Sequence, residues 1–186
     1  MQKYRDTMFM SQPLGEPREP FFVFRHLNKA DMIALKLARL IEAHADQLAA
    51  GLVEKICTSL RTAEYRHAVP REELERSVRE IYHHISDWLL TKTESDVELR
   101  FTETGMRRAA EGLPFSQLLW ALAMTKEHLW GFLQREALID RPVELFGELE
   151  LMMLLDQFFD RAMYYAAAGY EQVIQEREEE ARLGAD

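Results

Sequence analysis

Residues Glu98–Leu133, E-L-R-F-T-E-T-G-M-R-R-A-A-E-G-L-P-F-S-Q-L-L-W-A-L-A-M-T-K-E-H-L-W-G-F-L, decide the reading of this chain. The first part predicts a short polar helix near residues 96–111. Gly112 can end it, because glycine tolerates the left-handed conformation that closes a helix, and Pro114 suits the first turn of a successor. Phe115, Leu118, Leu119, Leu122, Leu129 and Leu133 then give the second helix an apolar face. No catalytic or cofactor motif interrupts the junction.

Upstream, Asp31 is placed to cap a helix running to about Leu60, with Ile33, Leu37, Leu40, Ile41, His44, Leu48, Leu52 and Ile56 turned inward. Gly51 marks either a bend or a close helix crossing. After Pro70, a second stripe of Leu74, Val78, Ile81, Ile85, Trp88 and Leu89 needs a partner to bury it. A polar connection at Thr91–Ser95 leads back to the central stretch. Residues 1–30 carry Pro13, Gly15, Pro17 and Pro20 before Phe21-Phe22-Val23-Phe24, which predicts an irregular arm with one anchoring segment.

Downstream, a final helix is expected from Pro142 to beyond Ile174, with Phe146, Leu149, Met152, Met153, Leu155, Phe159, Met163, Ala166, Tyr170 and Val173 as its apolar band. Extended to Glu180 it would measure roughly 60 Å. The sequence Q-E-R-E-E-E-A-R near its end is almost wholly charged, so residues 171–186 are expected to form a connector. The expected organisation is an arm at 1–30, an all-α body at 31–170 and this connector.

The 186 residues suffice for one substantial core, and 47% hydrophobic content argues against disorder. Charged residues break every apolar run before it reaches bilayer-crossing length, so membrane insertion is not expected. The formal charge of −9 opposes nonspecific binding to nucleic acid. The opening M-Q-K-Y-R-D lacks a secretory core, and the single cysteine, Cys57, cannot form an intramolecular disulfide; a cytoplasmic setting is expected.

Among chemical candidates, His128 and His84 lead for haem ligation, with His44 and His83 behind them, but ordinary structural roles account for all four. Glu64–His67 and Glu80–His83 have the spacing of di-iron ExxH elements without the further carboxylates that chemistry requires, so no metal is expected. Ser86-Asp87 beside His83-His84 lacks the geometry of a nucleophilic site. Arg100, Arg107 and Arg108 form a modest basic group expected to pair with Glu98, Glu103 and Glu111 or to receive a partner. Trp88, Trp120, Trp130 and Tyr164 are either core or the walls of a small apolar ligand pocket.

Taken in order, E-E-L-E-R-S-V-R-E-I-Y-H-H-I-S-D-W-L, Arg100, Gly105, Arg108, Glu111-Gly112-Leu113-Pro114 and F-S-Q-L-L-W-A-L resemble the N-terminal sensory domain of RsbR-type stressosome co-antagonist proteins, also found ahead of other bacterial signalling modules. The resemblance spans about Leu35 to Tyr170. It implies a globin-like helical bundle that generally holds no haem, forms a homodimer and leads through its last helix to an output domain. It also implies that Arg100, Gly105, Arg108, Gly112 and Pro114 preserve a structural pattern rather than catalytic groups. Sixteen residues follow Tyr170, too few for an output domain, which leaves open a sensory part of a longer protein or a domain acting through a separate partner. The expected activity is regulated protein interaction, not catalysis. Two alternatives stand beside it, a constitutive dimerisation scaffold and a haem-binding gas or redox sensor.

Overall fold

The computed structural model describes residues 29–136 and 142–183. The expected arm, with Phe21–Phe24, lies outside the described residues. Among those residues the chain is all-α: α1 (Lys29–Ala43), α2 (Ala45–Thr58), a 3₁₀ turn (Leu60–Thr62), α3 (Tyr65–Ala68), α4 (Arg71–His83), α5 (Ile85–Leu90), α6 (Glu94–Ala110), α7 (Phe115–Glu136) and α8 (Pro142–Leu183). The expected helical bundle with a long C-terminal helix is therefore present. Its last helix has 42 residues and a length of about 63 Å.

Local chemistry sets most of the boundaries. Thr93 and Asp96 form a capping box at the start of α6: the Asp96 N–H donates to Thr93 Oγ1 (3.3 Å), and the Thr93 N–H donates to the Asp96 carboxylate (2.8 Å). At the other end Gly112 adopts φ +75°. The Gly112 N–H donates to the Ala109 carbonyl and the Leu113 N–H to that of Arg108, which is the paired bonding of a Schellman cap. Leu113 is then fully buried, and the Pro114 carbonyl accepts from Gln117 and Leu118 to open α7.

Two expected helices are each broken once. His44 separates α1 from α2 with φ −110°, ψ 12°, and His84 separates α4 from α5 with φ −120°, ψ 24°. The His44 N–H turns to the Ile41 carbonyl, and its ring bonds the Leu40 carbonyl, so the backbone at the first break is satisfied locally. Asp31 lies inside α1 rather than at its cap, since the helix already runs from Lys29.

The final helix is the spine of the bundle, with α6, α1 and α7 packed along it, while α2 pairs with α4 and α7. Phe158 on α8 sits at the aromatic centre, 5.6 Å from the ring of Phe101, 5.8 Å from Trp88 and 5.1 Å from Phe159. The α8 band expected to turn inward divides in two. Of its residues Leu155, Phe159 and Ala166 are buried, whereas Phe146, Leu149 and Met153 face out, with Phe146 64% exposed; Leu151, Leu154 and Phe158, outside the expected band, are buried as well, and Leu145 joins the exposed side. No helix among the described residues is long and apolar enough to cross a membrane.

Candidate functional site

Where α4, α6 and α7 diverge they leave a cavity of about 70 Å³, several times the space one water requires. Leu74, Ser77, Val78 and Ile81 of α4 form one wall, and Leu118, Ala121, Leu122 and Thr125 of α7 another. The third wall is α6, whose residues Arg100, Phe101, Thr104, Arg107 and Arg108 recur at helical spacing. Ile56, Tyr65 and Phe159 close the remainder.

The polar groups of this lining are unevenly committed. The Thr104 and Thr125 hydroxyls donate to the Arg100 and Ala121 carbonyls within their own helices, each at 2.8 Å. Arg108 is buried and bonds Glu73 at 2.8 Å on one side and Glu111 on the other. The Arg108 hydrogen bond holds the Glu73 carboxyl below its usual range. Burial pushes the Tyr65 phenol up, against the neighbouring Arg108 charge. Arg100 pairs with Glu80 at 2.8 Å. Thus Glu73 and Glu80 of α4, rather than the expected Glu98 and Glu103, answer these arginines, together with the expected Glu111. Arg107 is exposed and forms no ion pair among the described residues.

The same α6 lies in backbone contact with α8. A Cβ on Gly169 would stand 2.2 Å from the Thr102 carbonyl oxygen, so the two helices approach more closely than any larger residue permits. Farther along, the Tyr170 hydroxyl donates to the Leu113 carbonyl (2.8 Å), and the Arg177 guanidinium donates to those of Ala109 and Ala110 (each 3.1 Å). These bonds fasten the end of α6 and the Gly-Leu-Pro junction to α8. Of these α8 residues, only the small-residue run Ala166–Gly169 carried a local signal of close approach, whereas Arg177 sits in a charged run with nothing to single it out.

The four aromatic residues considered for a ligand pocket do not converge on this cavity. Trp88 packs in the core against Phe158, and Trp120 lies under the Arg61 guanidinium, 4.3 Å from ring centroid to cation. Trp130 is partly buried near Lys126, and Tyr164 is exposed beside Tyr165. None of the four lines the cavity.

His128 is buried between α7 and α2. Lys55 Nζ lies 2.9 Å from its Nδ1, and desolvation followed by the Lys55 charge lowers its pKa to about 4. With Nδ1 accepting from Lys55, the ring proton belongs on Nε2, which is buried and has no hydrogen-bond partner among the described residues. A Cβ on Gly51 would lie 3.6 Å from that nitrogen. The His128 ring is thus held between Lys55, which occupies Nδ1, and the backbone of α2 at Gly51. His84 is exposed at the α4–α5 break, 3.6 Å from Asp87. Glu80 is paired with Arg100 and His83 with Asp46. Among the described residues no group of three or more His, Cys, Asp or Glu side chains is arranged to hold a metal ion.

The sequence profile of the RsbT co-antagonist protein rsbRD N-terminal domain matches residues 46–183. The chain belongs to this family. Membership in the rsbRD N-terminal family makes it a stressosome-type signalling domain, and the match covers α2 to the end of α8. All five residues of the pattern noted in the sequence, Arg100, Gly105, Arg108, Gly112 and Pro114, lie within the matched segment. In this rsbRD N-terminal domain they form the cavity wall, the α8 contact and the junction between α6 and α7. No match was found among curated proteins or among solved structures.

Proposed function

We propose that this rsbRD N-terminal domain is a globin-like, homodimeric sensory module that passes a ligand- or partner-dependent change along α8 to an output domain or signalling protein. The observation that carries this reading is the double role of α6. It supplies the arginine wall of the cavity and is also in backbone contact with α8. Close-packed backbones at Gly105 and Gly169 cannot absorb a displacement by side-chain adjustment, so a shift of α6 moves α8. A ligand drives such a shift only by binding two packings with different affinity.

The outward stripe of Leu145, Phe146, Leu149 and Met153 supports association of two copies through α8, since burying it would remove a contiguous apolar patch from water. A cytoplasmic setting is part of the reading. The test combines native mass with pulsed electron-spin distances between labels at Gln172 in the two copies, recorded before and after saturation with 1-pentanol as a cavity probe. A dimer whose label distances change on binding supports the proposal. A monomer, or a bound dimer with unchanged distances, overturns it.

A further inference from the structure

The chemistry of the cavity lining narrows what could occupy it. Its body is aliphatic and aromatic, with Leu74, Val78, Ile81, Leu118 and Phe159 among the apolar residues that line it. The charged side chains in the lining are arginines only: Glu73, Glu80 and Glu111 answer them from outside the cavity wall. Arg108 and Arg100 are engaged by those carboxylates. Arg107 lines the cavity, reaches solvent and makes no ion pair or hydrogen bond among the described residues. On α4, Ser77 also lines the cavity, and its hydroxyl makes no hydrogen bond among the described residues. Arg107 acts on Glu73 through space only, so two polar groups whose hydrogen-bonding capacity is unused, one of them cationic, border an apolar chamber.

We propose that the cavity binds a small amphipathic monoanion, a carboxylate with a short apolar tail, whose tail enters between α4 and α7 and whose head docks on Arg107 and Ser77. The inference rests on the reading of the cavity as the sensing site. A planar guanidinium presents paired N–H donors that match a carboxylate, which a neutral alcohol or an amine does not satisfy. The 70 Å³ of space is just under half of the roughly 150 Å³ apolar cavity that accepts the six carbons of benzene, so it suits a tail of about three carbons, with a fourth spanning to the exposed Arg107 at its edge. The three nearby glutamates weaken the positive potential, so selectivity comes from hydrogen-bond geometry and binding is modest, with Kd on the order of 1 mM.

The experiment titrates the full chain with sodium pentanoate, 1-pentanol or pentylammonium, following backbone amide shifts by nuclear magnetic resonance. The expected result is that pentanoate shifts α4 and α6 amides around Ser77 and Arg107 and binds at least about fivefold more tightly than the other two. Arg107→Gln, at an exposed position that leaves the core untouched, removes that preference. Ala121→Leu fills the chamber and weakens binding of pentanoate and pentanol alike. Equal affinity for pentanoate and pentanol, unchanged preference in Arg107→Gln, or shifts confined to another surface would overturn the assignment. Absence of pentanoate binding would overturn it too. If pentanol binds better and still moves the Gln172 labels, the sensing role survives and the ligand class fails. If pentanoate binds at Arg107 and the labels do not move, the ligand class stands and the transmission fails.

Discussion

A Cβ on Gly105 would stand 2.0 Å from the carbonyl oxygen of Ala166. The atoms it would meet, at Ala166 and Tyr170, are all backbone of α8, so no side-chain rotation relieves the clash. Gly105→Ala is expected to cost about 1–3 kcal/mol despite alanine's better helix propensity. Gly112→Ala is the control: nothing lies within 4 Å of its Cβ position, but its φ is +75°, and the cost is about 1–2 kcal/mol from backbone strain alone. Urea unfolding of both variants measures these costs. Only Gly105→Ala should also alter amide shifts along α8, and unaltered α8 shifts in that variant would contradict the close crossing.

Arg108 is buried between Glu73 and Glu111, and its removal leaves two carboxylates facing each other without their shared cation. Arg108→Ala is expected to destabilise the fold by about 3 kcal/mol, while Arg108→Met, which restores apolar volume, loses less. The Arg108 hydrogen bond depresses the folded-state pKa of Glu73 below 4.5. Its stabilising contribution is therefore complete above that value and declines as pH falls through the lower folded pKa. Stability measured from pH 7 to pH 3 should fall less steeply in the acid range for Arg108→Met than for the parent.

His128 titrates in the opposite chemical sense but with the same pH direction. Its pKa falls from 6.5 to about 4 in the folded state, so the unfolded chain takes up its proton first. The neutral buried ring contributes fully above pH 6.5 and loses that contribution progressively down to about pH 4. His128→Asn keeps an acceptor for Lys55 and removes the titration. Between pH 6.5 and 5 the melting temperature should decline in the parent and decline less in this variant. A His128 ring resonance titrating near pH 6.5 would refute the buried, lysine-facing geometry.

Phe146 and Met153 stand outward on α8 at 64% and 62% exposure. Replacing Phe146, Leu149 and Met153 together by serine or glutamine should lower self-association by at least about tenfold while leaving far-ultraviolet circular dichroism unchanged. Analytical ultracentrifugation across a concentration series decides this. An unchanged dimerisation constant would remove α8 from the interface.

The stripe on α4 and α5 was legible because Leu74, Val78, Ile81, Ile85, Trp88 and Leu89 are large, apolar and spaced for one face, and all six are buried. On α1 the same logic found Ile41, which is fully buried, but missed the residues closest to α8. Ile33, Leu37 and Leu40 remain partly exposed, whereas Ala34 and Ala38 are each 2% exposed, because small side chains let α1 lie close to α8. The breaks at His44 and His84 had no proline or glycine to announce them. Sequence apolarity also could not say that Phe146 and Met153 face away from the core, since the number of apolar residues on α8 exceeds what one buried face accommodates. The arginine group was visible, but its partners on α4 are distant in sequence, and pairing by neighbourhood offered Glu98 and Glu103 instead of Glu73 and Glu80.

Arg177 binds the last carbonyls of α6 from deep within what reads as a charged tail, and α8 passes through Tyr170 to Leu183 without a break. The angular phase of the helix beyond that clamp is consequently locked to the bundle. One residue inserted after Arg177 would turn everything attached at Leu183 by about 100°, whereas seven would bring it back to within roughly 20° of its original bearing. A reporter fused there would read the domain as a compass needle, sensitive to heptad register more than to distance.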